Sequence, residues 1–561
     1  MFYRSLIKEL EKWKESAFRK PLVIRGARQV GKTTLIKEFG KQFKQFIFLN
    51  LEKEEDAMFF KTKDKLEDII QKIFINKKKL LSDKHRTLLF IDEIQEVPEA
   101  VNLLRYFKED LPELAVIAAG SMLESLVGKN LTFPVGRIEY RVLRPLSFDE
   151  FLLAMGDEMY IDELNKIPVS KNAENALLNA FHTYALLGGM PEAVYHYQHS
   201  KDITALSPIY DALINSYLDD AEKYAKSTKQ LHLIRFCIKQ AMSYAGKRTS
   251  YQRFGNANYS SNDIREVLAA LEKTHLLQVI HPVTSAIIPL EPNYKKTPRL
   301  QFLDSGLINY FLGLQKDIIG TKDLNTIYKG TLIEHLVGQE LLSFQSLSLN
   351  KLHFWVREKN QSDAEIDYLY PHQGALVPIE VKSGATGTLR SLQVFMDQSP
   401  LNYAIRLYAG KLQIDTIQTA NGKSFYLLSM PYFLASKIEH YIDWLKTQFS
   451  YEVTEEAMTF KEPSISMFTK KTRKEKKWTI EELTEKHFRI LALCKEKPLM
   501  GRQLIEEGLG LTYQSRNKKE YIKPLIDLQL IEYTQKDFKK SKTQKYQLTE
   551  AGLGLVKKIE N

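Results

Sequence analysis

A glycine-rich segment near the N-terminus has the spacing of a phosphate-binding loop. It reads Gly26-Ala27-Arg28-Gln29-Val30-Gly31-Lys32-Thr33-Thr34 and matches the pattern GxxxxGK[ST] in full. It lies after the apolar run 22–24 and before the helical pattern 33–39, which is the strand–loop–helix context that the motif requires. Its glycines let backbone N–H groups turn inward around phosphates, and the start of the helix adds partial positive charge. These nine residues therefore predict binding of ATP, with Lys32 on the β- and γ-phosphates and Thr33 on Mg²⁺.

Two adjacent carboxylates follow a later apolar run and have the types that hydrolysis requires. The run Leu88–Ile91 is followed by Asp92 and Glu93. We expect Asp92 to hold Mg²⁺ through water, as a Walker B aspartate, and Glu93 to polarise the attacking water as a general base. A nucleotide switch does not need such a base, so Glu93 favours an ATP-hydrolysing enzyme. The alternative is that Glu93 only caps the strand.

Two further residues are candidates for the same site. Ser121 follows the apolar run Leu114–Ala118 and is predicted to contact the γ-phosphate or the water, although serines there also cap turns. Arg137, Arg141 and Arg144 lie further along, and one of them, with Arg137 the first candidate, is predicted to be an arginine finger, supplied within the subunit or by a neighbour. Ordinary surface positions are the alternative for these arginines. A finger from a neighbour would require a homo-oligomer.

A second group of charged side chains has the types found in metal-dependent nucleases. Asp367 starts one predicted strand, and Glu380 and Lys382 are two residues apart on the next, so both face the same side. Glu334 lies upstream on a predicted helix. The set resembles the restriction-endonuclease-like pattern and predicts Mg²⁺ or Mn²⁺ on the three carboxylates, with Lys382 orienting or deprotonating water. The alternatives are an inactive site or a structural ion-pair network.

The elements that must position the first site alternate between strand and helix. After an amphipathic helical pattern in residues 1–20, apolar runs alternate with helical patterns, which favours a parallel sheet covered on both faces. Ser147 and Glu150 have the spacing of a capping box, so a helix is predicted to begin there and to end a domain of residues 1–150. The predicted strands are Leu22–Ile24, Phe46–Leu49, Leu88–Ile91, Leu114–Ala118 and Ile138–Leu143.

The rest of the chain divides into four predicted parts. The fold class is α/β multidomain: an AAA-like parallel-sheet domain, a helical and winged-helix middle, a restriction-endonuclease-like α/β domain and a C-terminal winged helix. The middle winged helix rests on a helix capped by Ser260, with Ile264, Val267, Leu268 and Leu271 on one side, and on the apolar strand that follows. The second α/β domain is predicted to contain a helix at 331–342 and a hairpin turn at 371–374, and the last winged helix a helix at 515–528 and a wing at 535–544. The predicted boundaries are 151–299 for the middle, 300–450 for the second α/β domain, 451–477 for a basic linker and 478–561 for the last winged helix.

An ordered set of motifs resembles a known family. The segments GARQVGKTTL, DEIQEVP, AGS, VGR, LRPLSFDEF, GGMP and FLDSGL follow one another in that order. The chain resembles, over about residues 1–430, prokaryotic AAA-type P-loop ATPases whose C-terminal half is a domain of unknown function with a restriction-endonuclease-like fold. The resemblance implies an AAA-like sheet, ATP binding through Gly31, Lys32 and Thr33, and hydrolysis through Asp92 and Glu93. Residues 478–561 lie outside the usual family pattern.

Positive charge is concentrated in the last fifth of the chain. The 561 residues carry a formal net charge of +11, and residues 461–561 account for +9, with 23 Lys and Arg against 14 Asp and Glu. A basic appendage on a nearly neutral body favours a polyanionic partner, DNA first, although a solvated basic domain or a protein-binding winged helix is the alternative. The predicted DNA contacts are Arg516, Lys518, Lys519, Lys523, Lys536, Lys539, Lys540, Lys542 and Lys545.

Composition excludes several classes of protein. The chain is 44% hydrophobic and 27% charged, which is ordinary for a globular protein and too apolar for a disordered one. Only two cysteines occur, so a disulfide-stapled secreted scaffold and a four-cysteine zinc site are excluded, and we expect a cytoplasmic protein. No uncharged apolar run reaches about 18 residues and the N-terminus lacks a signal-peptide pattern, so we expect no membrane partner.

Three hypotheses about function follow from the sequence. The first is an ATP-hydrolysing, DNA-associated AAA-type protein with a metal-dependent nuclease module. The second is an ATP-gated regulator or scaffold in which the nuclease-like fold is inactive and the winged helices bind protein or operator DNA. The third is a partner of an acidic protein, without nucleic acid. DNA-stimulated ATPase activity would favour the first two, and metal-dependent cleavage of DNA would separate the first from the second.

Overall fold

Two compact units make up the chain in the computed structural model. They comprise residues 1–453 and 454–561. The structure describes residues 2–120, 136–315, 331–357, 364–382, 389–448, 480, 483–514, 517–534 and 545–560. Of the described helices, none is long and apolar enough to cross a membrane.

The first unit begins with a five-stranded sheet in which every pairing is parallel. The strand order is β2-β3-β4-β1-β5, so β1, which precedes the predicted ATP-binding loop, and β3, which precedes Glu93, are interior strands on either side of β4. All five strands predicted from the apolar runs are confirmed, within one or two residues at each end. They are β1 Leu22–Arg25, β2 Gln45–Asn50, β3 Thr87–Asp92, β4 Ala115–Ala119 and β5 Glu139–Val142.

Helices pack on both faces of this sheet, as the alternation predicts. Leu22 and Ile24 belong to one hydrophobic core and Val23 to the other, because successive strand residues point to opposite faces. The N-terminal helix is shorter than the predicted 1–20. The helices are α1 Ile7–Glu15, α2 Lys32–Gly40, α3 Glu54–Ala57, α4 Leu66–Asn76 and α5 Pro98–Asp110.

A helical region follows the sheet and starts at the predicted cap. Ser147 Oγ accepts a hydrogen bond from Glu150 N, and the Glu150 carboxylate accepts one from Ser147 N, each at 3.2 Å. Both orphan donors of the first turn are thereby satisfied. The helices are α6 Phe148–Met155, α7 Glu158–Leu164, α8 Glu174–Leu187, α9 Pro191–Ser200, α10 Ser207–Tyr224, α11 Thr228–Ser243 and α12 Ser261–Lys273.

An antiparallel strand pair completes the middle of the first unit. β6 Leu277–Ile280 pairs with β7 Arg299–Phe302, which was not predicted. The Ser260 side chain caps α12 as predicted, by accepting from Asp263 N at 3.1 Å. The four predicted apolar positions of α12 are all buried: Ile264, Val267, Leu268 and Leu271.

A second sheet, of mixed direction, follows. Its order is β10-β11-β12-β14-β13, with β11, β12 and β14 parallel and both edge strands antiparallel. The predicted hairpin turn 371–374 is tighter than expected, because only Gln373 and Gly374 connect β10 to β11. Their φ values are positive, 46° and 78°, as such two-residue turns require. The strands are β8 Trp355–Val356, β9 Glu365–Ile366, β10 Tyr368–His372, β11 Ala375–Val381, β12 Tyr403–Tyr408, β13 Gln413–Gln418 and β14 Ser424–Pro431.

Helices flank this second sheet. The predicted helix 331–342 is observed with one additional residue. The four helices of this part are α13 Ser305–Phe311, α14 Thr331–Ser343, α15 Arg390–Met396 and α16 Ile438–Gln448. Residues 316–330 and 383–388 lie outside the described residues.

The described residues of the second unit form a small three-stranded sheet and five helical segments. The strand order is β15-β17-β16 and both pairings are antiparallel. The predicted helix 515–528 is observed as a π-helical turn, Lys518–Ile522, followed by α18 at Pro524, where proline is tolerated in a first turn. The remaining elements are α17 Glu485–Glu496, β15 Leu499–Met500, the π-helical turn Gln503–Glu507, α18 Lys523–Asp527, β16 Ile531–Tyr533, β17 Lys545–Leu548 and α19 Glu550–Glu560.

Candidate functional site

The predicted ATP-binding loop connects β1 to the first turn of α2. Gly26 and Gly31 have φ values of 145° and 94°, a region that favours glycine. A Cβ atom on Gly26 would lie 2.2 Å from the Leu143 carbonyl oxygen, so the loop also needs glycine for close approach. The predicted ring of inward N–H groups therefore has the backbone it requires.

Lys32 is the buried cation of this loop. Its Nζ donates hydrogen bonds to the carbonyl oxygens of Gly26 at 3.0 Å and Ala27 at 2.8 Å. Burial lowers the pKa of Lys32 to about 8, against the opposing charges of Glu93 and Asp92. The side chain thus carries a poorly solvated positive charge at the place where phosphates are predicted to lie.

Thr33 and Asp92 are brought together from two separate elements. Thr33 Oγ1 donates to Asp92 Oδ2 at 2.7 Å, although 59 residues separate them. Burial raises the pKa of Asp92, while the Thr33 hydrogen bond acts in the opposite direction. A hydroxyl and a carboxylate are hard oxygen donors of the kind that Mg²⁺ prefers, so the two side chains fit the predicted ion.

Glu93 follows Asp92 in a strained conformation. Its φ of 50° is unusual for a residue other than glycine, and such strain often marks functional positions. Gln95 Nε2 donates to Glu93 Oε2 at 2.5 Å and so fixes the carboxylate. Gln95 was not predicted from the sequence, although its position two residues after the predicted base could have indicated it.

Three side chains from other elements contact the ATP-binding loop, and none of them was predicted from the sequence. Arg28, in the loop, pairs with Asp220 of α10 at 2.8 Å, and the Tyr217 hydroxyl donates to the Arg28 carbonyl at 3.0 Å. Arg4 Nη1 donates to the Val30 carbonyl at 2.7 Å. Nothing in their local sequence indicates this, because the contacts join segments up to 192 residues apart.

The remaining predicted residues of this site have mixed outcomes. Ser121 lies outside the described residues. Arg137 pairs with Glu109 at 2.9 Å and precedes β5, whose first residue lies beside Leu22 at the start of β1. The ATP-binding loop follows the C-terminal end of β1. Arg137 therefore lies at the N-terminal end of the parallel strands, away from the ATP-binding loop of its own chain. A role in a neighbouring subunit stays a prediction.

The four predicted nuclease residues do lie together, around an arginine that was not predicted. Arg299 of β7 is almost fully buried and pairs with Glu334 at 3.4 Å and Asp367 at 3.6 Å. It also bonds to Glu365. Despite its burial, the pKa of Arg299 is raised by Glu334 and Asp367. The predicted metal ligands therefore already have a protein cation among them.

The other side of this cluster keeps an unused acceptor. Lys382 Nζ donates to Glu380 Oε1 at 2.5 Å, and Val381 N donates to Asp367 Oδ2 at 2.8 Å. Glu380 Oε2 is buried without a hydrogen-bond partner. Burial, together with Asp367, raises the pKa of both Glu334 and Glu380. Among the described residues, no three acid, histidine or cysteine side chains form a group that could hold a metal ion.

Parts of the chain match known families. Residues 18–152 match the family described as AAA domain. Residues 178–318 match a domain of unknown function (DUF8612), and residues 329–432 match another (DUF4143). Residues 488–549 match the C-terminal domain of the "Filamentation induced by cAMP protein Fic-like" family. No curated protein matches the chain.

Solved structures with partial similarity include P-loop ATPases from archaea. The Walker-type ATPase of Pyrococcus abyssi is 15% identical, with 56% of this chain and 96% of that chain covered and a TM-score of 0.36. The ORC1 protein of Aeropyrum pernix in complex with DNA is 12% identical, with coverage of 55% and 93% and a TM-score of 0.25. A STAND protein of Pyrococcus horikoshii is 12% identical, with coverage of 61% and 48% and a TM-score of 0.24.

Proposed function

We propose that this chain, whose residues 18–152 form an AAA domain, hydrolyses ATP and uses the nucleotide state to control its downstream domains. The observation that carries the proposal is the 2.7 Å hydrogen bond between Thr33 and Asp92. It places the two candidate Mg²⁺ ligands side by side beneath a glycine loop with a buried lysine.

Each side chain has a distinct task in the proposed reaction. Lys32 exchanges its bonds to the loop carbonyls for the β- and γ-phosphate oxygens of the substrate. Thr33 and Asp92 would hold Mg²⁺, and the ion supplies neutralisation of the phosphate charge. Glu93, held by Gln95, accepts the proton of the attacking water. Arg28 and Arg4 keep the loop in its bound shape through Asp220 and Val30.

Two variants test this assignment by separating binding from hydrolysis. We expect Lys32→Ala to lose both ATP binding and phosphate release, and Glu93→Gln to keep binding while its phosphate release falls by at least 100-fold. Binding is measured with a fluorescent ATP analogue and release with a phosphate sensor. Arg105→Gln, which removes an exposed charge on α5, is the matched control. Unchanged phosphate release in Glu93→Gln would reject Glu93 as the base.

A second candidate function concerns the cluster around Arg299. We propose that residues 300–450 form a nuclease-like domain whose metal site opens when Arg299 withdraws. Support comes from the shared location of Glu334, Asp367, Glu380 and Lys382, and from the unpartnered Glu380 Oε2. With Arg299 displaced, the three carboxylates would hold Mg²⁺ or Mn²⁺ and Lys382 would orient or deprotonate the water.

Cleavage of labelled single- and double-stranded DNA tests the second candidate. The protein is incubated with Mg²⁺ or Mn²⁺, with and without ATP, beside Asp367→Ala, Lys382→Ala and Glu93→Gln. We expect cleavage to be lost in the Asp367 and Lys382 variants while their circular dichroism spectra are unchanged. Cleavage equal in Lys382→Ala and in the unmodified protein rejects the nuclease assignment. No cleavage with intact ATP turnover favours the alternative of an ATP-gated regulator or scaffold.

We further propose DNA as the partner of the second unit. Support comes from its net positive charge and from the helix and strand order α17, Gln503–Glu507, Lys518–Asp527, β16 and β17, which suits a winged helix. The predicted wing, residues 535–544, and Arg516 lie outside the described residues, as does the side chain of Lys519. DNA-stimulated ATP turnover in the full chain is the readout that would favour this partner over an acidic protein.

A further inference from the structure

Three parts of the first unit enclose a cleft that contains no residue of the ATP-binding loop. The cleft is partly open to solvent. One wall is the segment after β5, a second is the turn between α12 and β6, and a third comes from β7, α14 and the segment after α14. The residues that line the cleft include Arg144, Glu272, His275, Gln301, Phe302 and Lys351.

Arg144 contributes a cation to this cleft without a counterion. Burial lowers the pKa of Arg144 to about 10, so the guanidinium stays charged at neutral pH. Its Nε is buried without a hydrogen-bond partner, and no carboxylate pairs with it among the residues that the structure describes. Its backbone is fixed, because the Arg144 carbonyl accepts a hydrogen bond from Arg4 at 2.5 Å.

Three other buried or half-buried arginines of the same unit pair with carboxylates. Arg4 bonds to Glu150 at 2.9 Å, Arg141 to Glu9 at 2.7 Å and Arg299 to Glu334 at 3.4 Å. A charge that is shielded from water and unpaired destabilises the folded state. Arg144 is half-buried and has no such carboxylate among the described residues, which points to an anion that is not part of the protein.

His275 adds a second unused polar atom close to Arg144. Burial, together with the positive charges of Arg144, Arg25 and Lys32, lowers the pKa of His275 to about 3. The ring is therefore neutral, and its Nε2 is buried without a partner. A neutral ring beside a cation can donate a hydrogen bond to an anion without adding a second charge.

The rest of the lining supplies no competing anion. Glu272 is the only carboxylate of the lining, and it accepts hydrogen bonds from Lys351 at 3.0 Å and from Val279 N at 3.3 Å. Gln301 Oε1 is buried without a partner and can accept a hydrogen bond from a ligand. Six of the sixteen lining residues are apolar, Phe302 among them. Apolar surface next to polar atoms that lack a partner can hold a small molecule.

We propose that this cleft binds a small organic anion, whose phosphate or carboxylate group pairs with Arg144 and whose apolar body packs on the Phe302 wall. Nε2 of His275 donates to the anion, and Gln301 Oε1 accepts from a donor group of the ligand. A hydrogen bond between charged groups is roughly twice as strong as one between neutral groups. No residue of the ATP-binding loop lines the cleft, although Lys32 is near enough for its charge to lower the pKa of His275.

Titration calorimetry with simple probes tests the site. The full chain is first saturated with Mg²⁺ and ADP so that the ATP-binding loop is filled. Phenyl phosphate, phenylacetate and phenol are then added separately, at up to 10 mM. We expect phenyl phosphate or phenylacetate to bind and phenol not to bind, and the better of the two anions identifies the acidic group. Absence of binding by both anions would overturn the proposal.

Variants locate the binding in this cleft. We expect Arg144→Gln to lower the affinity for the better anion by about 10- to 100-fold, since it loses a hydrogen bond to a charged group. His275→Asn, which tolerates the positive φ of 60° at this position, should lower it by a smaller factor. Arg105→Gln, with the same loss of charge at an exposed position, should bind as the unmodified protein does. Equal affinity in Arg144→Gln and Arg105→Gln would contradict the site.

A variant could also bind poorly because its fold is damaged, and a stability measurement distinguishes that from the loss of a ligand contact. Arg144→Met removes the uncompensated charge but keeps most of the side-chain volume. Without ligand, we expect its thermal midpoint to equal or exceed that of the unmodified protein, because replacing a buried charge by an apolar group is often neutral or stabilising. A clear fall in the midpoint would show that Arg144 serves the fold and would overturn its assignment to a ligand.

Discussion

Single side chains determine whether the proposed ATP site can turn over. Gln95 contacts the candidate base and not the predicted ATP-binding loop, because its amide nitrogen donates to Glu93. We therefore expect Gln95→Leu to lower kcat for ATP by about 10- to 100-fold through loss of base orientation, with a smaller change in KM.

Steady-state phosphate release as a function of ATP concentration gives both constants for this variant. Gln95→Glu is a useful companion, because it keeps the side-chain length but places a second carboxylate beside Glu93. An effect on KM alone, with kcat unchanged, would show that Gln95 serves binding instead of positioning the base.

Arg299 is a second single residue with a large predicted effect, because it is the cation that the acidic cluster shares. Arg299→Met leaves Glu334, Glu365 and Asp367 without their shared cation, so we expect the free energy of unfolding to fall by about 3–5 kcal/mol without metal. A divalent ion can replace the lost charge, so added Mn²⁺ should raise the thermal midpoint of this variant more than that of the unmodified protein.

The control for this experiment is Arg248→Met. Arg248 is exposed and pairs with Glu365 at 3.2 Å, so its loss should have a small effect and no dependence on Mn²⁺. The same Mn²⁺ response in all three proteins would contradict a latent metal site under Arg299.

At the scale of elements, one turn joins the two α/β parts of the first unit. The turn between α8 and α9 contains Gly188 and Gly189, and Asp304, the N-cap of α13, accepts from Gly189 N at 2.6 Å. Pro191, at the start of α9, would lie 3.7 Å from a Cβ atom on Gly31 of the ATP-binding loop. Movement at the loop can therefore reach the second α/β part through α9 and this turn.

Packing at the turn leaves no room for a larger residue. A Cβ atom on Gly189 would lie 2.1 Å from the Leu146 carbonyl oxygen, which is backbone and cannot easily move. We expect Gly189→Ala to lower the free energy of unfolding by about 1–3 kcal/mol. Urea unfolding measures the change. Gly554→Ala, with nothing within 4 Å of its added Cβ in helix α19, should be neutral or stabilising by about 0.5–1 kcal/mol. Equal effects in the two variants would contradict the packing argument.

At the scale of the whole molecule, a buried acid makes stability depend on pH. Glu340 on α14 is fully buried and accepts from the Tyr184 hydroxyl at 2.6 Å and from Phe148 N at 3.2 Å, so it joins three distant segments. Burial raises the pKa of Glu340 to about 8, against the hydrogen bond from Tyr184. The folded state therefore binds a proton more tightly than the unfolded state, in which the pKa is about 4.5.

The sign of the pH effect follows from that raised pKa. The stabilising contribution is complete below the unfolded pKa and is lost as pH rises through about 8. We expect the thermal midpoint to fall from pH 5 to pH 8.5 and to fall less in Glu340→Gln, whose amide cannot ionise. Thermal scans across this range measure both slopes, and identical slopes would contradict the assignment to Glu340.

The charge of the second unit should also be visible in the behaviour of the full chain. If its predicted wing contacts DNA phosphates, log affinity falls with log salt by about 0.9 for each contact. Replacing Lys539, Lys540 and Lys542 by Gln should therefore reduce that slope by about 2–3. Fluorescence anisotropy with labelled duplex DNA at several salt concentrations measures it, and an unchanged slope would remove the wing from the interface.

The sequence by itself determined the local elements of the first site and the residues that are predicted to act there. The apolar runs defined all five strands of the parallel sheet, and the loop, Asp92 and Glu93 were found because each is a short contiguous pattern at a strand end. The Ser147–Glu150 cap was found for the same reason, since both partners lie within four residues. The strands β7, β8, β13 and β15 were missed, because β8 and β15 have two residues each, β7 has four, and β13 is a partly exposed edge strand.

Only the tertiary structure decided how distant side chains meet. Asp220 at the loop, Arg299 among the acids and Arg144 without a counterion depend on contacts, or on the lack of one among the described residues, between segments far apart in the chain. Arg137 shows the converse, since its nearness in sequence to the site does not bring it to the loop of its own chain. Burial and ion pairing change whether a side chain is charged and what it can contact. Both are properties of the packed molecule, and a local sequence pattern does not contain them.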